Sequence, residues 1–130
     1  MLGCPKGYGV EEEFVRKALD GQDLYREVND PAEAVREADV VYADVWASMG
    51  QEEEAAKRKK EFSLFQVNDE LMSKAPDQAI VLHCLPAHRD EEITDSVIES
   101  SRSLVFDQAE NRLHVQRGLI SLLVEPGGNG

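Results

Sequence analysis

A chain of 130 residues with 42% hydrophobic content suits one globular domain, near the lower length for a doubly wound α/β unit. Its formal net charge of −12 argues against a nucleic-acid binder, because no Lys/Arg stripe is present to release condensed counterions. No apolar run approaches the roughly 18 residues of a membrane span.

Met1 to Gly9 carries Gly3, Pro5, Gly7 and Gly9, a loop composition with barely any strand ahead of it, as if cut into something larger. Cys4 lies beside Pro5 in this end, which is expected to fray, and takes no role. Glu11, Glu12 and Glu13 crowd a helix start, where negative charge suits the macrodipole. Phe14, Val15, Ala18 and Leu19 give that helix one apolar stripe, and Gly21 is placed to end it. Leu24 to Val28 alternates and reads as an edge strand. Asp30-Pro31-Ala32-Glu33 supplies an N-cap, a proline at the first helical position and a carboxylate three residues past the cap, predicting a helix from Pro31 to about Ala38. Val40 to Val45 reads as a buried strand with Asp44 near its end.

Gln51 to Phe62 is helical by propensity and polar nearly all round, with Glu53 to Lys57 and Glu54 to Arg58 in the favourable i, i+4 order. Its cluster Lys57 to Lys60 is the only basic one, and Glu52 to Glu54 answers it one turn upstream, so a solvated helix is the reading preferred over a nucleic-acid site. So polar a helix packs weakly, which points to mobility or to cover by another chain. Asn68 caps a short helix through Lys74, and Pro76 ends it. The chain is organised around Ile80-Val81-Leu82-His83-Cys84-Leu85-Pro86, an apolar run read as a strand of a parallel sheet. Pro86 cannot donate to a ladder and biases Leu85 toward extended geometry, which sets Cys84 at the strand's carboxyl end, where open α/β sheets bind ligands. Asp90 to Glu99 predicts a covering helix with Ile93, Val97 and Ile98 on one side, and Leu104 to Phe106 a brief strand. Ala109 to Val124 is the longest predicted helix, with Leu113, Gln116, Ile120 and Leu123 on one face and Leu119 and Leu122 widening it. The tail Pro126 to Gly130 is expected to be disordered.

Strands alternating with helices give an α/β fold with a parallel sheet. No glycine-rich phosphate loop of either common pattern is present, which argues against a self-contained nucleotide-binding domain. Polar groups follow strand ends at Asp44 with Ser48 and Met49, at Cys84 with Leu85, and at Asn111 with Arg112. If the strands are parallel neighbours, all three converge on one rim.

Each of these residues has a bland reading beside its chemical one. Cys84 is either a small buried hydrophobe or a thiol facing Asp44, whose carboxylate would raise its pKa and join it in holding a cationic amine. That arrangement suits proton acceptance more than thiolate attack. His83 alternates with Cys84 and is read as a satisfied core histidine in preference to a catalytic one. His83, Cys84 and His88 fit no common zinc spacing and lack an evident fourth ligand, so no metal is expected. Ser48 lacks a nucleophile elbow and is read as a donor to a substrate carboxylate. Arg112 either caps or pairs at the start of the last helix, or grips a phosphate or carboxylate with its planar fork. Two cysteines and no presequence-like start make a reducing cytoplasm the default compartment.

Three segments, Asp44-Val45-Trp46-Ala47-Ser48-Met49-Gly50-Gln51-Glu52, His83-Cys84-Leu85-Pro86 and Ala109-Glu110-Asn111-Arg112, resemble the C-terminal half of the ornithine carbamoyltransferase family. The resemblance runs from about Pro5 to Val124, and Ser-Met-Gly favours ornithine over the aspartate of the sister family. It implies a Rossmann-like three-layer α/β/α domain and transfer of a carbamoyl group from carbamoyl phosphate to L-ornithine, giving L-citrulline and phosphate without a cofactor. Asp44, Ser48 and Met49 match the family's ornithine-binding positions. Cys84 matches its proton acceptor, Cys84 and Leu85 match positions lining the carbamoyl phosphate site, and Arg112 matches its anion-binding arginine.

The same resemblance implies what is missing. The family's Ser-Thr-Arg-Thr phosphate loop and the rest of its N-terminal domain, through which its homotrimer forms, have no counterpart here. Nor has the opening strand of the ornithine domain, which the resemblance sets centrally in the sheet. Residues 1–125 are therefore expected to be a truncated ornithine-binding half, inactive alone and open to self-association. The alternative is a non-catalytic remnant that at most binds an amino acid.

Overall fold

The computed structural model describes residues 1–20, 22–47 and 52–124, and its regular elements alternate between short strands and helices. Strand β1 (Leu2–Gly3) pairs in parallel with β2 (Glu27–Val28), and β3 (Val40–Ala43) pairs in parallel with β4 (Ile80–His83). The expected parallel sheet is thus divided into two separate pairs. β2 is the edge strand anticipated, though it is confined to the last two residues of the stretch. The N-terminus does not fray: Cys4 N–H donates to the Val28 carbonyl at 3.1 Å, and Cys4 is buried.

Helix α1 (Glu12–Leu19) has its acidic start, with Arg16 and Lys17 in its last turn, and ends at Asp20 in the left-handed region with φ 45°. Gly21, the expected stop, lies outside the described residues. The stripe on α1 buries nothing, and Phe14 stands exposed. Helix α2 (Pro31–Val35) begins as its sequence dictates: the Asp30 carboxylate accepts from Ala32 N–H at 2.9 Å, and Pro31 occupies the first turn, where a missing N–H costs nothing. It stops before Ala38. Gly3 lets β1 lie against this helix, for a Cβ there would come within 2.9 Å of the Ala34 Cβ.

β3 pairs only as far as Ala43, short of Val45, and is half-buried. Val41 and Ala43 enter the core while Val40 and Tyr42 face outward. Helix α3 (Glu52–Glu61) keeps the Glu54–Arg58 ion pair at 3.3 Å; the Glu53 side chain lies outside the described set. Its carboxyl end is anchored. Arg58 lies 5.3 Å from the Tyr8 ring centre and donates to the Trp46 carbonyl at 3.3 Å, and Phe62 packs between Tyr8, Trp46 and Phe65. A 3-10 turn (Ser63–Phe65) leads to α4 (Asp69–Met72), where Asn68 Oδ1 accepts from Leu71 N–H at 2.9 Å. Arg102 then ties α4 to β4, donating to the carbonyls of Met72, Pro76 and Ala79 at 2.9, 2.6 and 2.8 Å.

Three expectations in the C-terminal third are corrected. The covering helix is only α5 (Asp95–Ile98), because the backbone of the preceding residues is spent elsewhere: Val67 N–H donates to Glu92 C=O at 2.8 Å and Thr94 N–H to Val67 C=O at 3.0 Å. The expected strand Leu104 to Phe106 is a single bridge at Ser103 beside Val81, and α6 (Val105–Leu123) starts four residues earlier than Ala109. Asp107 in its first turn suits a helix start, and Leu104 C=O accepts from Gln108 N–H at 2.9 Å. Finally, α6 buries only Val105. Its apolar face, including Leu113, Leu119, Ile120, Leu122 and Leu123, is exposed. The core lies instead under β3 and β4, formed by Val41, Val81, Leu71, Ile93, Val97 and Ile98 with their neighbours. The tail from Pro126 to Gly130 lies outside the described residues. No described helix is long and apolar enough to cross a membrane.

Candidate active site

The register of β3 with β4 builds the site. Ala43 pairs with His83, so the next residues, Asp44 and Cys84, leave the carboxyl ends of adjacent parallel strands side by side. The Cys84 thiol donates to Asp44 Oδ1 at 2.9 Å. Burial pushes the Cys84 thiol above its ordinary pKa, and the hydrogen bond to Asp44 and the carboxylate's charge push the same way. The thiol therefore keeps its proton to higher pH than a free cysteine does and offers it to the Asp44 oxygen.

Beneath the pair lies a buried network that the sequence did not announce. Leu85 N–H donates to His83 Nδ1 at 2.8 Å, which fixes that nitrogen as the acceptor and leaves the ring proton on Nε2, 3.2 Å from Glu92 Oε1. Glu92 is only 2% exposed, and the same oxygen accepts from His88 N–H at 2.6 Å. One carboxylate thus holds the floor of the turn that carries Cys84 and Leu85. Leu85 itself is not extended as expected; it sits in the left-handed region with φ 52°, and its N–H is the one that donates to His83. Gln108 closes the other side, accepting from His83 N–H at 3.0 Å and donating to the Tyr42 hydroxyl at 2.8 Å. His83 is a satisfied core histidine.

Of the residues singled out by sequence, the structure joins Asp44 with Cys84 and sets Leu85 beside them. Ser48 and Met49 lie outside the described residues. Arg112 makes no hydrogen bond to Asp44, Cys84 or Leu85 among the described residues. It stands exposed on α6, roughly 10 Å along the axis from Val105, with no hydrogen bond or ion pair among the described residues. Among those residues no group of three His, Cys, Asp or Glu side chains is placed to hold a metal ion. Glu92 and Gln108 are the residues that sequence reading missed. Glu92 sits in an acidic run that reads as solvated, and its one signal was its place next to the buried Ile93.

A thiol hydrogen-bonded to a carboxylate at the carboxyl ends of adjacent parallel strands stands where open α/β sheets bind their ligands. Residues 1–123 match the family model for the Asp/Orn-binding domain of aspartate/ornithine carbamoyltransferase. The chain belongs to that family. It is 53% identical over 127 residues to ornithine carbamoyltransferase from Syntrophus aciditrophicus, covering 95% of this chain and 41% of that protein. With the Acidothermus cellulolyticus enzyme the identity is 59% over 131 residues, covering 98% and 42%. The crystal structure of the Pyrococcus furiosus ornithine carbamoyltransferase superposes with a TM-score of 0.83 at 47% identity, over 98% of this chain and 42% of that one. The chain therefore spans about two-fifths of the length of these relatives.

Proposed function

We propose that residues 1–125 are the ornithine-binding half of a carbamoyltransferase that moves a carbamoyl group from carbamoyl phosphate to the side-chain amine of L-ornithine, releasing L-citrulline and phosphate. The observation that carries this reading is the 2.9 Å pairing of Cys84 with Asp44, in a chain of this family. An ornithine amine resembles lysine, with a solution pKa of about 10.4, and must lose a proton before it attacks a carbonyl. The Asp44–Cys84 pair carries the single negative charge needed to attract that ammonium and to take up its proton. Ser48 and Met49 complete the ornithine side in this reading. Leu85 and Cys84 line the carbamoyl phosphate, and Arg112 offsets the charge of the departing phosphate.

Arg112 is exposed and makes no hydrogen bond to the pair among the described residues, so the reading rests on amine binding first and on transfer second. A reducing cytoplasm, which keeps Cys84 a free thiol, is its compartment. Calorimetric titration of the chain with L-ornithine is expected to give saturable binding that Asp44→Ala abolishes, with L-aspartate inert. Absence of ornithine binding, or equal binding by Asp44→Ala, overturns the proposal. The second reading is a non-catalytic remnant that self-associates. The exposed apolar face of α6 favours it, and it predicts a concentration-dependent oligomer with no response to ornithine.

A further inference from the structure

Helix α6 starts beside β4 and is tied to it twice. Leu104 N–H, one residue ahead of the helix, donates to the Val81 carbonyl at 2.9 Å, and the Gln108 side chain accepts from His83 N–H at 3.0 Å. Between the two ties the chain advances four residues on a helical turn, roughly 6 Å at about 1.5 Å per residue. On β4 it advances two residues, roughly 6.6 Å at about 3.3 Å per residue. The two rises match, so the first turns of α6 climb beside β4 toward its carboxyl end.

The same amide also reaches β3, donating from Nε2 to the Tyr42 hydroxyl at 2.8 Å. His83 is the residue before Cys84, and Tyr42 stands two before Asp44, so one side chain joins the ends of both strands to one turn of helix. Val105, Gln108 and Arg112 follow the i, i+3, i+7 spacing of a single helical stripe. Val105 is buried and Gln108 is bonded to both strands, which makes this the stripe that α6 turns toward the sheet. Arg112 continues it one turn, roughly 6 Å, beyond Gln108. That rise carries it past His83, where the turn formed by Cys84 and Leu85 lies.

We propose that Gln108 is a positioning residue: by gripping the ends of β3 and β4 it aims the start of α6, and through that helix it holds Arg112 over the Cys84–Leu85 turn. The rest of α6 gives little help, since the helix buries only Val105. The role rests on the reading of Arg112 as the anion-binding group, whereas the placement rests on the two ties and the stripe. Without Gln108 the pair that binds the amine and the guanidinium that meets the phosphate lose their fixed relation.

The test uses the full chain with Cys4→Ser and Cys84→Ser, the latter keeping a hydroxyl donor for Asp44, and a nitroxide attached at Arg112→Cys. Paramagnetic broadening of backbone amide signals falls steeply with distance, so it maps where position 112 stands. The Leu85 and Ala87 amides are expected to lose more signal than any others outside α6. In Gln108→Leu, which removes both polar ties, they should recover most of their intensity, because the label then samples many directions. Gln108→Glu is the rescue: its carboxylate accepts from His83 N–H and from the Tyr42 hydroxyl, and the parent pattern should return. Tyr42→Phe cuts one tie, should give an intermediate recovery, and decides the matter if Gln108→Leu does not fold. A merely stabilising Gln108 would lower the urea midpoint and leave the broadening pattern of the folded chain unchanged. The proposal is overturned if Leu85 and Ala87 are not broadened in the parent, if their broadening is unmoved in folded Gln108→Leu or in Tyr42→Phe, or if Gln108→Glu is no better than Gln108→Leu. The spectra are recorded without ornithine, so a failure of ornithine binding counts against the proposed function and leaves this placement standing.

Discussion

Glu92 offers the sharpest test of how the turn bearing Cys84 is held. Replacing it with alanine leaves His83 Nε2–H and His88 N–H without their acceptor. An unsatisfied buried donor costs about 1–3 kcal/mol, and only His83 is buried whereas His88 is exposed to water, so Glu92→Ala is expected to destabilise the chain by roughly 1–3 kcal/mol. Glu92→Gln behaves differently. Both donors use the same oxygen, Oε1, and an amide oxygen set there keeps both bonds, while the new NH2 takes the place of Oε2, near the exposed side of His88. Only the assistance of the charge is lost, about 1 kcal/mol. Urea unfolding followed through Trp46, the single tryptophan, reads the difference. With a slope of about 1–3 kcal/mol per molar, alanine should lower the midpoint by roughly 1 M and glutamine by about half as much. Nitrogen NMR on the glutamine variant should still find the His83 proton on Nε2. The reasoning fails if glutamine is as damaging as alanine, or if alanine lies within about 0.5 kcal/mol of the parent, the range of an ordinary surface change.

Two further outcomes follow from the same geometry. Because the Cys84 pKa is raised in the folded chain, its contribution to stability is fully present below the ordinary thiol value of 9.0 and is lost as pH rises above it toward the folded value. In a Cys4→Ser background, Cys84 alkylation should reach half-maximal rate at higher pH than for a free thiol, and Asp44→Asn should shift that midpoint down; an unmoved midpoint would deny the Asp44 contact. On α6, Leu122→Lys with Leu123→Lys should change the urea midpoint by no more than surface substitutions do, about 0.5 kcal/mol, while reducing any self-association seen by light scattering. A large loss of stability would mean that these side chains are packed.

The parts of the molecule legible in the sequence are those set by local chemistry or by a single strand register. Asp30-Pro31 and Asn68 announced their caps because a short acceptor before a helix start has one place to go. Asp44 and Cys84 were readable as neighbours because parallel strands of similar length that end together present their next residues together. What misled was composition without context. Asp90 to Glu92 looks like the charged start of a helix, yet the backbone around it pairs with Val67 and carries Glu92 inward. Leu104 to Phe106 looks like a strand, yet its pairing with Val81 ends at Leu104 N–H, and Val105 already begins a helix whose periodicity continues far beyond it. The stripes on α1 and α6 were correctly periodic, but period alone does not say that anything is present to cover them.

The two sides of the proposed chemistry rest on different scales of order. The amine side needs one register, Ala43 against His83, and the buried His83–Glu92 support beneath it; both lie within residues that also form the core. The anion side needs Arg112, whose position depends on how a helix that buries only Val105 is held along its length. A rim assembled by strand register keeps its shape unaided, because its hydrogen bonds are already made within β3 and β4. A guanidinium brought in by an uncovered helix does not, since nothing beyond that helix's first turn fixes its direction. In the proposed reading, amine binding should therefore persist in variants that displace Arg112, and a loss of ornithine binding in Arg112→Ala would refute that division.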